Sequence, residues 1–228
     1  MRTYRALAAL LTYPTEELVG AIEEISSTLQ TEGLLSVASR RSVERLLREL
    51  RTLDLFDLQE RYVTLFDRTP SLSLHLFEHV HGDSRDRGQA MVDLIELYRR
   101  HGVEIATHEL PDFLPLFLEF LGEVTEDEAR TMLGDVASLM AQIQVRLVKR
   151  GSAYAGVLTA LMALAGVAPL AAESEPAPEQ EDSLEALDKA WEDREVRFGD
   201  GTTETAGACS KAAAMVRRME TLQTGASR

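Results

Sequence analysis

The sequence predicts an all-α protein, a single helical bundle domain with an acidic, partly disordered C-terminal tail. Three observations carry this expectation. Apolar residues recur at spacings of three and four through most of the first 168 positions. No convincing pair of alternating strands interrupts them. The pattern then stops near Pro169 and gives way to AAESEPAPEQEDS, a Pro/Ala/Glu-rich stretch with the composition of a solvated linker. The predicted division is a helical domain over 1–169, an acidic linker over 170–183 and a mobile tail over 184–228. The tail carries a short amphipathic helix around Trp191.

Taken in order, the first helix should end at Thr12-Tyr13-Pro14, with Thr15 placed to cap the second. Val43, Leu46, Leu47, Leu50 and Leu53 form one apolar stripe, and Tyr62, Leu65 and Phe66 continue a similar one. Gly82-Asp83-Ser84 reads as a loop ending in a cap, with Asp86 in the favourable first turn of the next helix. That helix shows Met91, Leu94, Ile95 and Tyr98 on one face, and Gly102 closes it after a basic last turn. Asp112 is a candidate cap for the next helix, and Pro115 suits its first turn. Residues 126–150 read as one long helix through Met132, Leu133, Val136, Leu139, Met140, Ile143 and Leu147. Ala153–Ala172 contains no charge, but it is rich in alanine and holds Gly156, Gly166 and Pro169, so a buried core helix is expected rather than a membrane span. At the N-terminus, the apolar run Ala6–Leu11 is shorter than the hydrophobic region of a secretory signal. The expected compartment is the cytoplasm, with no stable membrane insertion.

Charge narrows the function classes. The chain has net charge −14, and residues 171–200 alone hold eleven acids against three bases. Such a balance disfavours nucleic acid as a partner and suits basic peptides. The single cysteine, Cys209, excludes an internal disulfide and fits a reducing compartment. No phosphate-cradling glycine loop and no nucleophile elbow is present.

One short pattern does suggest chemistry. His75, Glu78 and His79 stand in the order H-x-x-E-H, that of a zinc peptidase in which two imidazoles four residues apart share a helix face and the glutamate serves as base. A third ligand is missing from the pattern, and Glu104, His108 or Glu109 would have to supply it. Two readings without metal compete: polar groups tied to the backbone at a helix end, or the lining of a binding groove. The expected metal and cofactor complement is therefore none.

Longer stretches carry a resemblance. YVTLFDR (62–68), SLHLFEHVHGDSRDRGQAMVDL (73–94), ELPDFLPLFLEFL (109–121) and AWEDREVRFG (190–199) look like the signature of the NarJ-type nitrate reductase assembly chaperones. That group is similar to the wider molybdoenzyme chaperones of the TorD and DmsD types. The likeness covers roughly residues 3–168 and again about 184–200. It implies an all-helical cytoplasmic protein with no reaction of its own. The implied partner is the N-terminal peptide of the nitrate reductase catalytic subunit, held competent for molybdenum cofactor and iron–sulfur cluster insertion before membrane assembly. Molybdenum cofactor biosynthesis proteins are further implied partners. One departure stands out: the wider family often has Pro-Asp-His where this chain has Pro111-Asp112-Phe113, so no role of that histidine carries over.

A groove between helices would accept the apolar face of a partner helix. Tyr62, Phe66, Leu76 and Phe77 are the candidates for its floor, with ordinary core as the competing reading. Glu78, Asp83 and Asp86 are candidates to meet basic residues of the peptide. Arg85 and Arg87 would pair internally or reach a carboxylate of the partner. His79 and His81, together with His75, would add a pH dependence. A zinc hydrolase built on His75, Glu78 and His79, and a chaperone serving a different molybdoenzyme, are the alternative functions.

Overall fold

The computed structural model describes residues 1–81, 85–106 and 109–168. The predicted linker and tail, residues 170–228, lie outside the described residues, as do the loop and cap expected at Gly82-Asp83-Ser84. Eleven α-helices make up the described residues: α1 Arg2–Ala9, α2 Glu16–Gly20, α3 Ile22–Thr31, α4 Val37–Thr52, α5 Leu55–Tyr62, α6 Glu78–His81, α7 Arg85–Arg100, α8 Leu114–Leu121, α9 Glu126–Asp135, α10 Ala137–Lys149 and α11 Ala155–Leu164. A π-helical turn, Val63–Asp67, extends α5, and a 3₁₀ turn occupies Pro70–Leu72.

Local chemistry sets many of these boundaries. The first N–H groups of a helix have no intrahelical acceptor, so a side-chain oxygen placed there fixes the start. Thr15 accepts from the Leu18 N–H at 3.2 Å and Ser36 from the Ser39 N–H at 3.1 Å. Asp54 accepts from the Phe56 N–H at 2.9 Å. Thr125 and Glu128 exchange hydrogen bonds in a capping box that opens α9. Pro115 sits in the first turn of α8, where its missing N–H costs nothing. Gly102 closes α7 with φ of 74°, a left-handed conformation that favours glycine.

The periodic stripes become the core. Val43, Leu46, Leu47 and Leu50 on α4 are buried, as are Leu94 and Tyr98 on α7. Helix α1 packs on α3 and α8, α3 on α4, α4 on α11, and α11 on α9 and α10. The 126–150 run differs from its expectation. It is two helices, broken at Val136, whose φ and ψ of −97° and 0° leave the helical region. Both halves keep their apolar residues inward, so periodicity alone does not reveal the bend. The uncharged stretch after residue 153 does form a buried helix, α11, and no helix of the described residues is long and apolar enough to cross a membrane.

Helices α4 and α11 meet at backbone distance. The Ser42 hydroxyl donates to the Gly156 carbonyl at 2.9 Å, and a Cβ placed on Gly156 would lie 1.8 Å from the Ser42 carbonyl oxygen. Beside this crossing, Tyr62, Phe66 and Tyr154 form an aromatic cluster, with ring centroids 4.9 Å apart for Tyr62–Phe66 and 5.0 Å for Phe66–Tyr154. The π turn supplies Phe66 to the cluster. Its Arg68 N–H reaches back five residues to the Val63 carbonyl, at 2.9 Å.

Gly156→Ala should therefore destabilise the protein by about 3 kcal/mol, because the clash is with backbone and cannot be relieved by a rotamer change. Gly134→Ala, inside α9 with nothing within 4 Å of the new Cβ, should instead stabilise by about 0.5 kcal/mol through helix propensity. Urea unfolding of the two variants beside the parent checks both signs.

Candidate functional site

Two of the stretches singled out in the sequence meet at one buried carboxylate. Residues 73–77 precede α6, and residues 109–113 precede α8. They run antiparallel for a single bridge, His75 opposite Phe113. The Leu76 N–H donates to the Asp112 carbonyl at 3.0 Å, and the Leu114 N–H donates to the Leu74 carbonyl at 2.8 Å. The Asp112 side chain, with 0% exposure, completes the junction. It accepts from the Phe77 N–H at 2.9 Å and from His75 Nδ1 at 3.3 Å. A carboxylate buried this deeply needs donors on its oxygens, and here both come from the partner segment.

The surroundings hold these groups in place. Tyr98, buried on α7, donates its hydroxyl to the Pro111 carbonyl at 2.7 Å. Burial, reinforced by the charge of Asp112, pushes the Tyr98 phenol well above its ordinary value, so it remains a donor. The Phe113 ring lies against the His75 imidazole, centroids 5.2 Å apart. His79 donates from Nε2 to the Ser73 carbonyl at 2.8 Å, and the Ser73 hydroxyl accepts from the His75 N–H at 3.2 Å. The hydrogen bond to Asp112 raises the His75 pKa above 6.5; partial burial opposes the shift, and the Asp112 and Glu78 charges add to it.

These contacts correct one expectation, the Asp112 cap, and bear on the H-x-x-E-H alternative. Asp112 does not cap α8, whose cap position is Phe113 and has no side-chain hydrogen bond. It serves the opposite segment, at the Phe77 N–H. The H-x-x-E-H order also fails to place two imidazoles on one helix face. His75 belongs to the bridge, and α6 begins only at Glu78. One ring nitrogen of each histidine is committed, to Asp112 and to the Ser73 carbonyl respectively. Among the described residues no group of three or more His, Cys, Asp or Glu side chains is placed to hold a metal ion. His108, one of the proposed third ligands, lies outside the described residues.

The remaining candidates divide by burial. Tyr62, Phe66, Leu76 and Phe77 are core residues, with 5%, 6%, 0% and 0% exposure. Tyr62 also donates its hydroxyl to the Leu11 carbonyl at 3.0 Å. They pack against neighbouring helices and offer no open floor to a peptide in this conformation. Glu78 is exposed, and Arg87 pairs with it at 3.2 Å. Asp83 lies outside the described residues. Of His81, Arg85 and Asp86 only the helical backbone is described.

An open cleft lies beside the junction, and the half-buried Val103, Ile105 and Leu116 give it accessible apolar lining. Phe113, just before α8, and Leu116 fall at i and i+3 and are half-buried, whereas Phe120, at i+7, is buried in the core and shows only its edge. Leu116 and Phe120 line a cleft of about 570 Å³ with Val103 and Ile105. Its margin is acidic, with Glu104, Glu119 and Glu123; Arg5 pairs with Glu123. The cleft escapes sequence reading because Val103 and Ile105 sit in a connection outside any helix, without helical periodicity. The acidic residues Glu104, Glu119 and Glu123 around apolar neighbours were the available signal.

Residues 32–160 match the family model described as "Nitrate reductase delta subunit", a range that takes in both joined segments and Asp112. The chain is 40% identical over 195 residues to the nitrate reductase molybdenum cofactor assembly chaperone NarJ of Escherichia coli strain K12, covering 84% of this chain and 83% of that protein. It is 35% identical over 202 residues to the probable nitrate reductase molybdenum cofactor assembly chaperone NarW of the same strain, covering 87% and 84%. It is 31% identical over 164 residues to the probable nitrate reductase molybdenum cofactor assembly chaperone NarJ of Bacillus subtilis strain 168, covering 71% and 86%.

Asp112→Ala should cost about 2–4 kcal/mol of stability, since it leaves a buried N–H and an imidazole N–H without their acceptor. The His75–Asp112 pair also sets a pH dependence. The His75 pKa is raised on folding, so the contribution is complete below the unfolded value of about 6.5 and is lost as pH rises through the folded value. Unfolding free energy measured in urea should fall across that window in the parent protein. The same step should be absent from Asp112→Asn.

Proposed function

Because the chain belongs to the nitrate reductase delta subunit family, we propose that it is a NarJ-type assembly chaperone. It binds the N-terminal segment of the catalytic subunit of a respiratory nitrate reductase in the cytoplasm. It keeps that subunit competent for molybdenum cofactor and iron–sulfur cluster insertion before membrane assembly. Molybdenum cofactor biosynthesis proteins are the further partners of this reading. The protein performs no reaction itself. The observation that carries the proposal is the likeness to the E. coli chaperone over most of both chains.

The geometry supplies a physical means. An amphipathic peptide helix loses water from its apolar face when it enters an apolar groove, and charges on the rim fix its direction. The cleft beside the Asp112 junction has such a lining, with Leu116, Phe120, Val103 and Ile105 inside and Glu104, Glu119 and Glu123 at the margin. A peptide with leucines or aromatics on one face and lysines or arginines on its flanks is its complement. The junction holds the start of α8 against the segment before α6, so the cleft wall is fixed before the peptide arrives and little ordering entropy is spent on binding.

Calorimetric titration with a synthetic peptide of the nitrate reductase catalytic subunit's N-terminus tests this directly. Saturable heat that disappears with a scrambled peptide is the expected result. Glu119→Lys combined with Glu123→Lys should weaken the binding by about tenfold, equivalent to about 1.4 kcal/mol. No heat with this peptide, together with saturable heat for the corresponding peptide of another molybdoenzyme, would assign the chaperone to that client. Unchanged affinity in the double variant would move the binding site away from this cleft.

A further inference from the structure

Helix α4 runs against the charge of the rest of the chain. It carries Arg40, Arg41, Arg45, Arg48 and Arg51 against only Glu44 and Glu49, in a protein of net charge −14. Part of that positive charge is answered locally. Arg45 and Arg61 both reach Glu49, and Arg51 reaches Glu23 and Glu44. The rest is not. Arg40 donates to the Gln30 carbonyl at 3.3 Å, and Arg41 and Arg48 make no ion pair among the described residues.

Two of these arginines, Arg40 and Arg41, stand on one surface. Helices α3 and α4 leave an open groove of about 350 Å³ between them, floored by Leu29, Leu47 and Val37 and edged by Arg40 and Arg41, with Glu44 also on its edge but paired with Arg51. Val37, in the first turn of α4, is 57% exposed. An exposed valine flanked by guanidinium groups that make no ion pair among the described residues suits an occupant that is apolar on one side and acidic on the other.

The chain itself contains such a segment. Leu184, Leu187 and Trp191 fall at i, i+3 and i+7, and residues 171–200 hold eleven acids against three bases. The route to it begins close by. The Gly151 carbonyl lies beside Arg45 and Gly156 beside Ser42, so α11 travels toward the N-terminal turn of α4, where Arg40 and Arg41 stand. From Ala168 to Leu184 the chain can span about 55 Å when extended, enough to reach the groove. A tether of this kind gives an effective concentration on the order of 1 mM, so even an intrinsic Kd near 100 µM would leave about nine in ten molecules docked.

We propose that the segment around Leu184–Trp191 docks in the groove between α3 and α4. Leu184, Leu187 and Trp191 lie against Val37 and its neighbours, and the flanking carboxylates face Arg40, Arg41 and Arg48. The acidic segment thereby covers the basic face of its own chain. This inference uses a surface separate from the α8 cleft and does not depend on the client reading.

Trp191 is the single tryptophan, which makes the full-length chain its own reporter. At low salt, its emission should be shifted to the blue of the urea-unfolded chain, and acrylamide should quench it several times less efficiently. Arg40→Glu with Arg41→Glu, or high salt, should return both signals to the unfolded values. Val37→Asp should do the same by a different route. Adding Glu179→Lys, Glu181→Lys and Asp182→Lys to the double arginine variant should restore protection. Arg130→Glu on α9 should change nothing, and circular dichroism checks that each variant remains folded. A fully accessible Trp191 in the parent protein would overturn the proposal, as would protection that survives both the arginine and the valine changes. Protection that grows with protein concentration would also overturn it, in favour of a contact between two copies.

Discussion

A carboxylate excluded from water has to be answered by donors, and the way Asp112 is answered organises the centre of this molecule. Its two oxygens take the Phe77 N–H and the His75 imidazole, both from a segment more than thirty residues earlier in the chain. Backbone bonds on either side complete a one-residue bridge. Removing any one partner would leave another buried polar group unmet, so the contacts hold or fail together. This reciprocity fixes the entry to α6 and the start of α8 relative to each other. It also positions the apolar face of α8 that borders the open cleft.

Much of the scaffold was legible in the sequence because it depends on local rules. The α4 stripe, the Thr15 cap, Pro115 in the first turn of α8 and Gly102 at the end of α7 each follow from spacing or from one residue's backbone preference. Reading failed where a residue serves a distant segment. Asp112 sits where a cap belongs, and nothing nearby in sequence reveals that its carboxylate turns instead to Phe77. His75 and His79 have helical spacing, yet the bridge to Phe113 takes His75 out of any helix. The break at Val136 escaped because both halves of that run bury the same kind of residue. Tyr62, Phe66, Leu76 and Phe77 share one difficulty. An apolar residue at helical spacing reads alike whether it faces the core or a groove, and only burial separates the two.

Charge is partitioned over the surface with some economy. The acidic margin of the α8 cleft and the arginines of α4 are different faces with opposite sign. A protein of strongly negative net charge repels acidic surfaces at long range, but locally it can still discriminate. The proposed client peptide, being basic, is complementary to the acidic cleft. The basic groove would attract anionic material of many kinds unless something of matching charge covered it first. Under the two proposals, faces of opposite sign keep two binding chemistries apart on one small bundle.

The π turn at Val63–Asp67 adds a constraint of a different order. Because the Arg68 N–H closes on the Val63 carbonyl five residues back, this stretch accommodates one residue more than an α-helix would over the same turn. Deleting a residue here would let the ordinary four-residue bond form and rotate all that follows by about 100° relative to α5. Phe66 would leave the aromatic cluster, and the chain would approach the Asp112 bridge on the wrong side. In this part of the molecule information resides in the count of residues as much as in their identity. Variation among related chains should therefore accumulate here as substitution, while insertions and deletions are pushed into the connections on either side.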